Sequence, residues 1–203
     1  MVHGARYICG IRYEFRGMER VPTDQPVIFA VKHQSAWETL VFNILLQRPC
    51  YVLKKELLTI PIFGNYMKRS WNIVVDRNGS VSALKQLVQK VTHSLERNLS
   101  IIIFPEGTRV PLGTAGKYHP GIAAIYTSTN APVIPVAVNS GLFWPRNSFL
   151  KRPGTVVMEF LDPIPSGLKR PEFMQALENA IETATRRLEQ EGLAKLEKAE
   201  RAN

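Results

Sequence analysis

A histidine and a glutamate five residues apart are the part of this sequence best suited to acid–base chemistry. His33 follows an apolar run at 26–31 that predicts a short buried strand, so it lies where a strand ends and a loop begins. On one continuous helix, where each residue turns about 100°, side chains five positions apart point about 140° away from each other. His33 can therefore meet Glu38 only if a helix begins between them.

Ser35 supplies a helix start between these two residues. Residues 35–38 have the S-x-x-E form of a capping box, with Ser35 as the N-cap and Glu38 at the third helical position, its carboxylate turned back over the helix start. Alternatively, Glu38 does no more than cap this helix, and His33 is a loop histidine held by a hydrogen bond. The two interpretations are compatible, because one helix end can cap and also orient an imidazole.

A second group of polar residues, at 104–109, suits the binding of an anion. It follows an apolar run that predicts a buried strand. Gly107 allows the backbone to approach a ligand closely, Thr108 offers a hydroxyl and an amide, and Arg109 can grip a phosphate with two hydrogen bonds. The alternative is an ordinary Pro-Glu-Gly turn at a strand end.

The elements that must position these groups alternate between strands and helices. Strands are predicted at 11–16, 26–32, 50–53, 72–75, 100–104, 132–138 and 155–161, and helices at 36–47, 81–95, 120–128 and 171–193. This order indicates an α/β fold, a single-domain sandwich on a mixed, largely parallel sheet, with ligands at the carboxyl ends of strands. We expect one domain over 1–203, a motif-bearing core at about 10–165, and a charged tail after the last helix.

The composition favours an anionic partner. Lys and Arg exceed Asp and Glu by nine charges, which suits a membrane surface, a phosphate-bearing metabolite or nucleic acid. No basic recognition helix or aromatic-flanked RNA motif is evident, so nucleic acid is not expected. The two cysteines and four histidines are scattered, so neither a metal site nor a cofactor is predicted. The apolar runs are too short to span a bilayer.

Together these segments resemble the glycerolipid acyltransferases, the family of the lysophosphatidate acyltransferases. Residues 33–38 resemble its H-x4-D block, 71–77 its second block, 104–109 its F-P-E-G-T-R block and 133–138 its V-I-P-V strand. The resemblance covers roughly residues 10–165. Glu38 stands where the family usually has Asp, so its approach to His33 is expected to differ slightly.

The resemblance implies a role for each of these residues. His33 would be the general base, and Glu38 would orient and stabilise its imidazole. Separately from the resemblance, we hypothesise that Lys54, at the end of the strand after the His33 helix and in preference to Lys55, stabilises the developing oxyanion. Either lysine could instead be a solvated surface charge. The remaining residues would bind the phosphate of the acceptor: Arg77, Glu106, Gly107, Thr108 and Arg109, with Asp76 fixing Arg77.

The resemblance also implies a reaction, in which an acyl chain passes from acyl-CoA or acyl-carrier protein to the sn-2 hydroxyl of 1-acyl-sn-glycerol-3-phosphate. The same chemistry on another lysolipid, such as a lyso-ornithine lipid, remains open, and so does a non-catalytic binder of anionic lipid. Members commonly carry N-terminal membrane helices, which this sequence lacks. Either such an anchor has been removed or the protein is natively peripheral, and for the chain as given a peripheral position at the cytoplasmic face of a membrane is expected.

Two apolar stretches could contact lipid. Residues 57–66 and the helix after His33 are candidates for an acyl groove that keeps water from the thioester. Residues 143–152 mix aromatic and cationic side chains, as an interfacial contact does, although a packed surface loop is the alternative.

Overall fold

Seven strands form one sheet in the computed structural model of the protein, which describes residues 2–59, 63–75 and 81–201. The strands are β1 Ile11–Arg16, β2 Ile28–Val31, β3 Cys50–Lys54, β4 Ile73–Val75, β5 Ile101–Ile103, β6 Val133–Val138 and β7 Gly154–Phe160. The helices are α1 Val2–Cys9, α2 Trp37–Leu45, α3 Phe63–Arg69, α4 Val81–Glu96, α5 Gly121–Ser128 and α6 Arg170–Arg201. Short 3-10 helices lie at Met18–Arg20, Lys55–Thr59 and Ser140–Leu142.

The sheet is mixed and largely parallel, as predicted. Its order is β1-β7-β6-β2-β5-β3-β4, and the only antiparallel pair among these described strands is β6 with β7. The carboxyl ends of β2, β3, β5 and β6 therefore share one edge with the amino ends of β7 and β1. We call this the carboxyl edge, and it carries both predicted motifs.

Alternation along the strands divides the core between the two faces of the sheet. On β2, Phe29 and Val31 face a first core that includes residues of α1 and α2, while Ile28 and Ala30 face a second core that includes residues of α4, α5 and α6. Both faces are covered, which explains why the central strands are apolar throughout rather than alternating.

The predicted elements are confirmed with small shifts at their ends. All seven predicted strands are present, and the four predicted helices correspond to α2, α4, α5 and α6. The last helix is longer than predicted, because α6 continues to Arg201 through the charged residues that follow 193. Its polar, charge-balanced sequence carries no apolar stripe there, so periodicity ended the prediction too early. In the described part of the chain, no helix is long and apolar enough to cross a membrane.

Candidate active site

Helix α2 begins close to the predicted position, just after the loop that carries His33. The N-cap is Ala36, one residue later than predicted, and Ser35 Oγ accepts a hydrogen bond from the backbone N–H of Trp37 at 2.9 Å. Glu38 reaches back as expected, because its Oε1 accepts from the amides of Gln34 at 2.5 Å and Ser35 at 2.6 Å. The carboxylate thus satisfies backbone donors ahead of the first helical turn.

The same carboxylate contacts the histidine ring. His33 Nδ1 lies 3.2 Å from Glu38 Oε1, and Ser140 Oγ donates to the other oxygen, Oε2, at 2.8 Å. An ionised carboxylate can only accept hydrogen bonds, so the ring nitrogen that contacts Glu38, Nδ1, must be the one that carries the hydrogen. The lone pair of His33 is then on Nε2, the nitrogen that can accept a proton from a substrate.

Packing fixes the plane of the ring. The imidazole stacks on Phe104 with centroids 4.0 Å apart and planes 22° apart, and the His33 side chain remains 15% exposed. Glu38 is fully buried. A ring clamped between an aromatic face and a buried carboxylate, yet partly open to solvent, has the geometry of a positioned base.

Glu106 lies behind this loop rather than at a ligand. Its side chain is buried, its Oε1 accepts from Lys32 Nζ at 2.8 Å and Gly116 N at 2.9 Å, and its Oε2 accepts from His33 N at 3.1 Å. The predicted contact between Glu106 and the acceptor phosphate does not fit this geometry. A carboxylate would repel a phosphate, and here protein donors already occupy both oxygens.

Lys32 completes a buried charge cluster beneath the loop. Its ammonium is fully buried and donates to Glu106, to Glu182 Oε1 at 2.7 Å and to the carbonyl of Thr114 at 3.0 Å. The hydroxyl of Tyr118 also donates to Glu182, at 3.0 Å. Burial and the nearby carboxylates of Glu182 and Glu106 raise the pKa of Tyr118, so its phenol stays protonated as a donor.

A second α6 carboxylate holds the residue after the histidine. Glu189 Oε1 accepts from Gln34 Nε2 at 2.6 Å, and Gln34 Oε1 accepts from the amide of Gly141 at 3.1 Å. Glu182 and Glu189 are seven residues apart, so they lie on one face of the helix. The long C-terminal helix therefore fixes the side chains on both sides of His33.

Sequence reasoning did not identify the two α6 glutamates. One signal was present, because Glu182 and Glu189 each directly follow an apolar residue of the buried stripe, Ile181 and Leu188. Charges spaced seven residues apart beside a buried stripe suggest a buried partner, but nothing in the sequence says that Lys32 and Gln34 are those partners.

The turn after β5 remains open to ligand. Gly107 has φ 64°, in the left-handed region that favours glycine, and its amide donates to the carbonyl of Phe104 at 2.9 Å. Val110 N donates to the carbonyl of His33 at 2.8 Å, which joins the two motif loops. Within the residues that the structure describes, neither the Arg109 guanidinium nor the Thr108 hydroxyl has a hydrogen-bond or ion-pair partner. Their phosphate-binding role stays a prediction.

The two lysines at the carboxyl end of β3 are less well placed than expected. Lys54 has the strand parity of Cys50 and Val52, which face the second core, whereas the His33 ring stacks on Phe104 in the first core. The register sets Lys54 two strands from Lys32, about 10 Å along the sheet. No contact joins Lys54 to His33 in the described structure, so its oxyanion role stays a prediction. Lys55 is exposed at the start of a 3-10 helix.

Some of the residues with predicted roles lie outside the part of the chain that the structure describes. Arg77 and Asp76 lie in the range 76–80, outside the described residues. The proposed acyl groove at 57–66 is described in part, and its Leu57 and Leu58 pack partly buried against the first core. Among the described side chains, no group of three or more His, Cys, Asp or Glu residues could hold a metal ion.

The cysteines do not suit an acyl-enzyme. Cys50 is buried at the start of β3, at the edge of the sheet opposite the carboxyl edge. Burial raises the pKa of its thiol to about 11, so the nucleophilic thiolate is scarce at neutral pH. Cys9, in α1, is joined to His33 by no contact in the described part of the chain.

A histidine held by a buried carboxylate, beside a partly exposed turn at the carboxyl edge of a mixed sheet, fits an enzyme that activates a hydroxyl. The model of the Acyltransferase family matches residues 12–139, which include both motif loops. The chain therefore belongs to the Acyltransferase family.

Curated relatives narrow the comparison. The 1-acyl-sn-glycerol-3-phosphate acyltransferase of Pseudomonas aeruginosa is 40% identical over 151 residues, which are 74% of this chain and 58% of that protein. The protein of the same name from Escherichia coli is 33% identical over 156 residues, 71% of this chain and 61% of the relative. The chain thus spans somewhat more than half the length of these relatives.

A solved structure supports the fold. The crystal structure of the 1-acyl-sn-glycerophosphate (LPA) acyltransferase PlsC from Thermotoga maritima superimposes with a TM-score of 0.69. It is 23% identical in sequence, and the match covers 90% of this chain and 76% of that one. The predicted glycerolipid acyltransferase-like sandwich is confirmed.

Proposed function

We propose that this chain transfers an acyl group from an acyl thioester to the sn-2 hydroxyl of 1-acyl-sn-glycerol-3-phosphate, giving phosphatidate. The observation that carries the proposal is the buried Glu38 at 3.2 Å from His33 Nδ1, which leaves Nε2 as the base. The names of the relatives from Pseudomonas aeruginosa and Escherichia coli support the choice of acceptor. The donor is acyl-CoA or acyl-carrier protein.

The reaction requires one proton acceptor and no covalent enzyme intermediate. His33 Nε2 takes the proton of the acceptor hydroxyl as its oxygen attacks the thioester carbonyl. Collapse of the tetrahedral intermediate breaks the carbon–sulfur bond, and the leaving thiolate receives the proton from the imidazolium. Glu38 stabilises the imidazolium between these two steps, and a positioned base of this kind contributes about 10² to 10⁴ in rate.

The acceptor phosphate lies, in this proposal, against the turn after β5. The Arg109 guanidinium and the Thr108 hydroxyl have no partner among the described residues, and the hydrogen bond from Val110 N to the carbonyl of His33 keeps this turn next to the base. Arg77 and Lys54 would add positive charge, the latter at the oxyanion. The lysolipid acceptor is held by a membrane, so the enzyme works at the cytoplasmic face of an anionic bilayer.

Transfer assays with a panel of acceptors test the proposal. Purified protein is incubated with acyl-CoA or acyl-carrier protein and with lysophosphatidate, lysophosphatidylcholine or a lyso-ornithine lipid, and products are identified by mass spectrometry. We expect lysophosphatidate to be the best acceptor. Best activity on an acceptor without a phosphate would contradict the assignment of the substrate.

A substitution at the base separates catalysis from lipid binding. His33→Ala should reduce kcat by about 10² to 10⁴, because it removes the proton acceptor, while binding of lysophosphatidate changes little. Turnover close to that of the unsubstituted protein would contradict the base assignment. If neither protein transfers acyl chains although both bind lipid, the chain is a non-catalytic binder of anionic lipid.

A further inference from the structure

The most exposed apolar side chains of the protein are concentrated in two neighbouring segments. Tyr7 and Ile8 on α1 are each 85% exposed, Leu150 is 81% exposed and Phe149 is fully exposed. In the part of the chain that the structure describes, only Val81 is comparably exposed among large apolar residues, also at 85%. Scattered single apolar residues are normal at a surface, whereas a cluster of this kind marks a contact site.

The two segments lie side by side at the β1 end of the sheet. The amide of Gly154 donates to the carbonyl of Gly10 at 3.1 Å, and a cavity of about 970 Å³ is lined by both segments, including Arg6, Tyr7 and Arg152. His33 does not line this cavity. The apolar side chains therefore belong to a surface next to the candidate active site rather than to that site.

The segment 143–152 is anchored to the fold at its two ends, whereas its tip, Phe149 and Leu150, is not. Phe143 is buried and Trp144 packs partly buried on the first core, while the amide of Arg152 donates to the carbonyl of Phe143 at 2.9 Å and closes the loop. Phe149 and Leu150 at the tip gain nothing from this packing. The alternative in which residues 143–152 form a packed surface loop does not hold for the tip.

Charge accompanies the exposed apolar groups. Residues 2–10 and 143–153 contain Arg6, Arg146, Lys151 and Arg152, and neither range contains an aspartate or a glutamate. Within the described residues, the side chains of Arg6 and Arg152 have no hydrogen-bond or ion-pair partner. Lys151 Nζ lies 5.2 Å from the centre of the Trp144 ring, a cation–π pair. The two segments thus supply aromatic, aliphatic and cationic side chains, which suit an anionic lipid surface. The acidic residues that line the cavity between them, Glu191 and Glu200, belong to α6.

We propose that Arg6, Tyr7, Ile8, Phe149, Leu150, Lys151 and Arg152, called here the docking patch, attach the enzyme to an anionic membrane. The inference rests on the proposed function, because a lysolipid acceptor must be taken from a bilayer. Arg146 Nη1 donates to the carbonyl of Arg109 at 2.5 Å, so the loop that carries the tip also contacts the turn assigned to the acceptor phosphate. Apolar side chains enter the interface, and basic ones bind lipid phosphates beside the site entrance.

Vesicle binding tests the docking patch. The unsubstituted chain is sedimented with vesicles of phosphatidylcholine that contain about one third phosphatidylglycerol, and with vesicles of phosphatidylcholine alone. We expect the anionic vesicles to be bound more tightly, by a margin that shrinks at high salt. Phe149→Ser with Leu150→Ser should weaken binding at least about tenfold, and Tyr7→Ser with Ile8→Ser should act similarly.

Matched controls separate the patch from general effects. Val81→Ser removes an equally exposed apolar side chain at the start of α4, a helix that contacts β4 and β5 rather than β1, and should leave vesicle binding unchanged. Arg6→Gln with Arg152→Gln should weaken binding to anionic vesicles about 25-fold, because each basic residue near the surface contributes about fivefold. Lys85→Gln with Arg186→Gln removes the same charge from exposed helix positions and should have a much smaller effect.

The vesicle-binding results test the docking patch independently of the proposed acyl transfer. If Val81→Ser, or the Lys85 and Arg186 pair, weakens binding as much as the patch variants do, the docking patch is wrong. It is also wrong if the patch variants bind vesicles normally but lose capture by immobilised acyl-carrier protein, an acidic protein. Transfer to a short-chain, freely soluble lysophosphatidate should be retained in every patch variant. If no variant and no unsubstituted protein transfers acyl groups, the proposed function fails while the vesicle result still stands.

Discussion

The charged side chains on the two sides of the His33 loop differ in burial and in ion pairing. Behind the loop, Lys32, Glu106 and Glu182 are buried and bonded to one another. On the other side, on the carboxyl edge, Arg109 is half-exposed and has no ion-pair partner among the described residues. Buried charges are costly unless fully paired, whereas exposed ones can remain unpaired at little cost.

This difference separates positioning from binding. The buried cluster cannot meet a substrate without losing partners, so its effect on catalysis passes through the backbone of His33, whose amide donates to Glu106. The Arg109 guanidinium, which has no partner among the described residues, can meet a ligand. Substitutions behind the loop should therefore reduce stability and kcat, and those in front should raise KM.

The largest effect is expected from Lys32→Met. Removing the ammonium leaves Glu106 and Glu182 buried without their cation, and breaking a buried ion pair costs about 3–5 kcal/mol in the free energy of unfolding. Urea denaturation measures this loss. Adding Glu182→Gln to Lys32→Met should recover part of it, because one of the two stranded carboxylates is then neutral.

Arg16→Met is the matched control for that experiment. Arg16 also bonds two glutamates, Glu14 at 2.7 Å and Glu191 at 2.8 Å, but these three side chains are 29%, 44% and 36% exposed. An exposed ion pair is worth at most about 1 kcal/mol. A loss from Arg16→Met equal to that from Lys32→Met would contradict the distinction between the buried and the open charges.

A smaller effect is expected at the carboxylate that touches the ring. Glu38→Ala should lower kcat by about 10² to 10³, since the imidazole loses its orienting partner and the amides of Gln34 and Ser35 lose their acceptor. Glu38→Asp keeps the charge and should retain more activity. Steady-state kinetics with lysophosphatidate measures both variants. Equal losses would mean that the length of the side chain matters more than its charge.

Local patterns in the sequence predicted the strands, the main helices and the pair of His33 and Glu38. These features depend on neighbours within about one helical turn or one strand, where periodicity and capping act. The sheet placed the remaining contacts. Glu106 was predicted to bind ligand, but it contacts Lys32 because β2 and β5 are adjacent in the sheet. Glu182 contacts the same lysine because α6 packs on that face.

The sequence also did not show on which face of the sheet a residue at a strand end lies. Lys54 follows an apolar strand as His33 does, yet its parity directs it to the second core while the imidazole lies in the first. A one-residue change in parity reverses the face, and the sequence alone does not fix which face carries the base. Pairings between distant residues therefore required the structure.

The smallest effect is expected in front of the loop, from Arg109→Ala. The acceptor KM should rise about 10- to 100-fold, because hydrogen bonds to a charged group contribute about 1.5–3 kcal/mol, while the donor KM and the free energy of unfolding change little. Arg186→Ala, at an exposed position of α6, is the control. Using a short-chain soluble acceptor removes any contribution from vesicle binding. If the donor KM rises instead, Arg109 binds the donor, and the open side of the loop serves a different substrate from the one assigned to it.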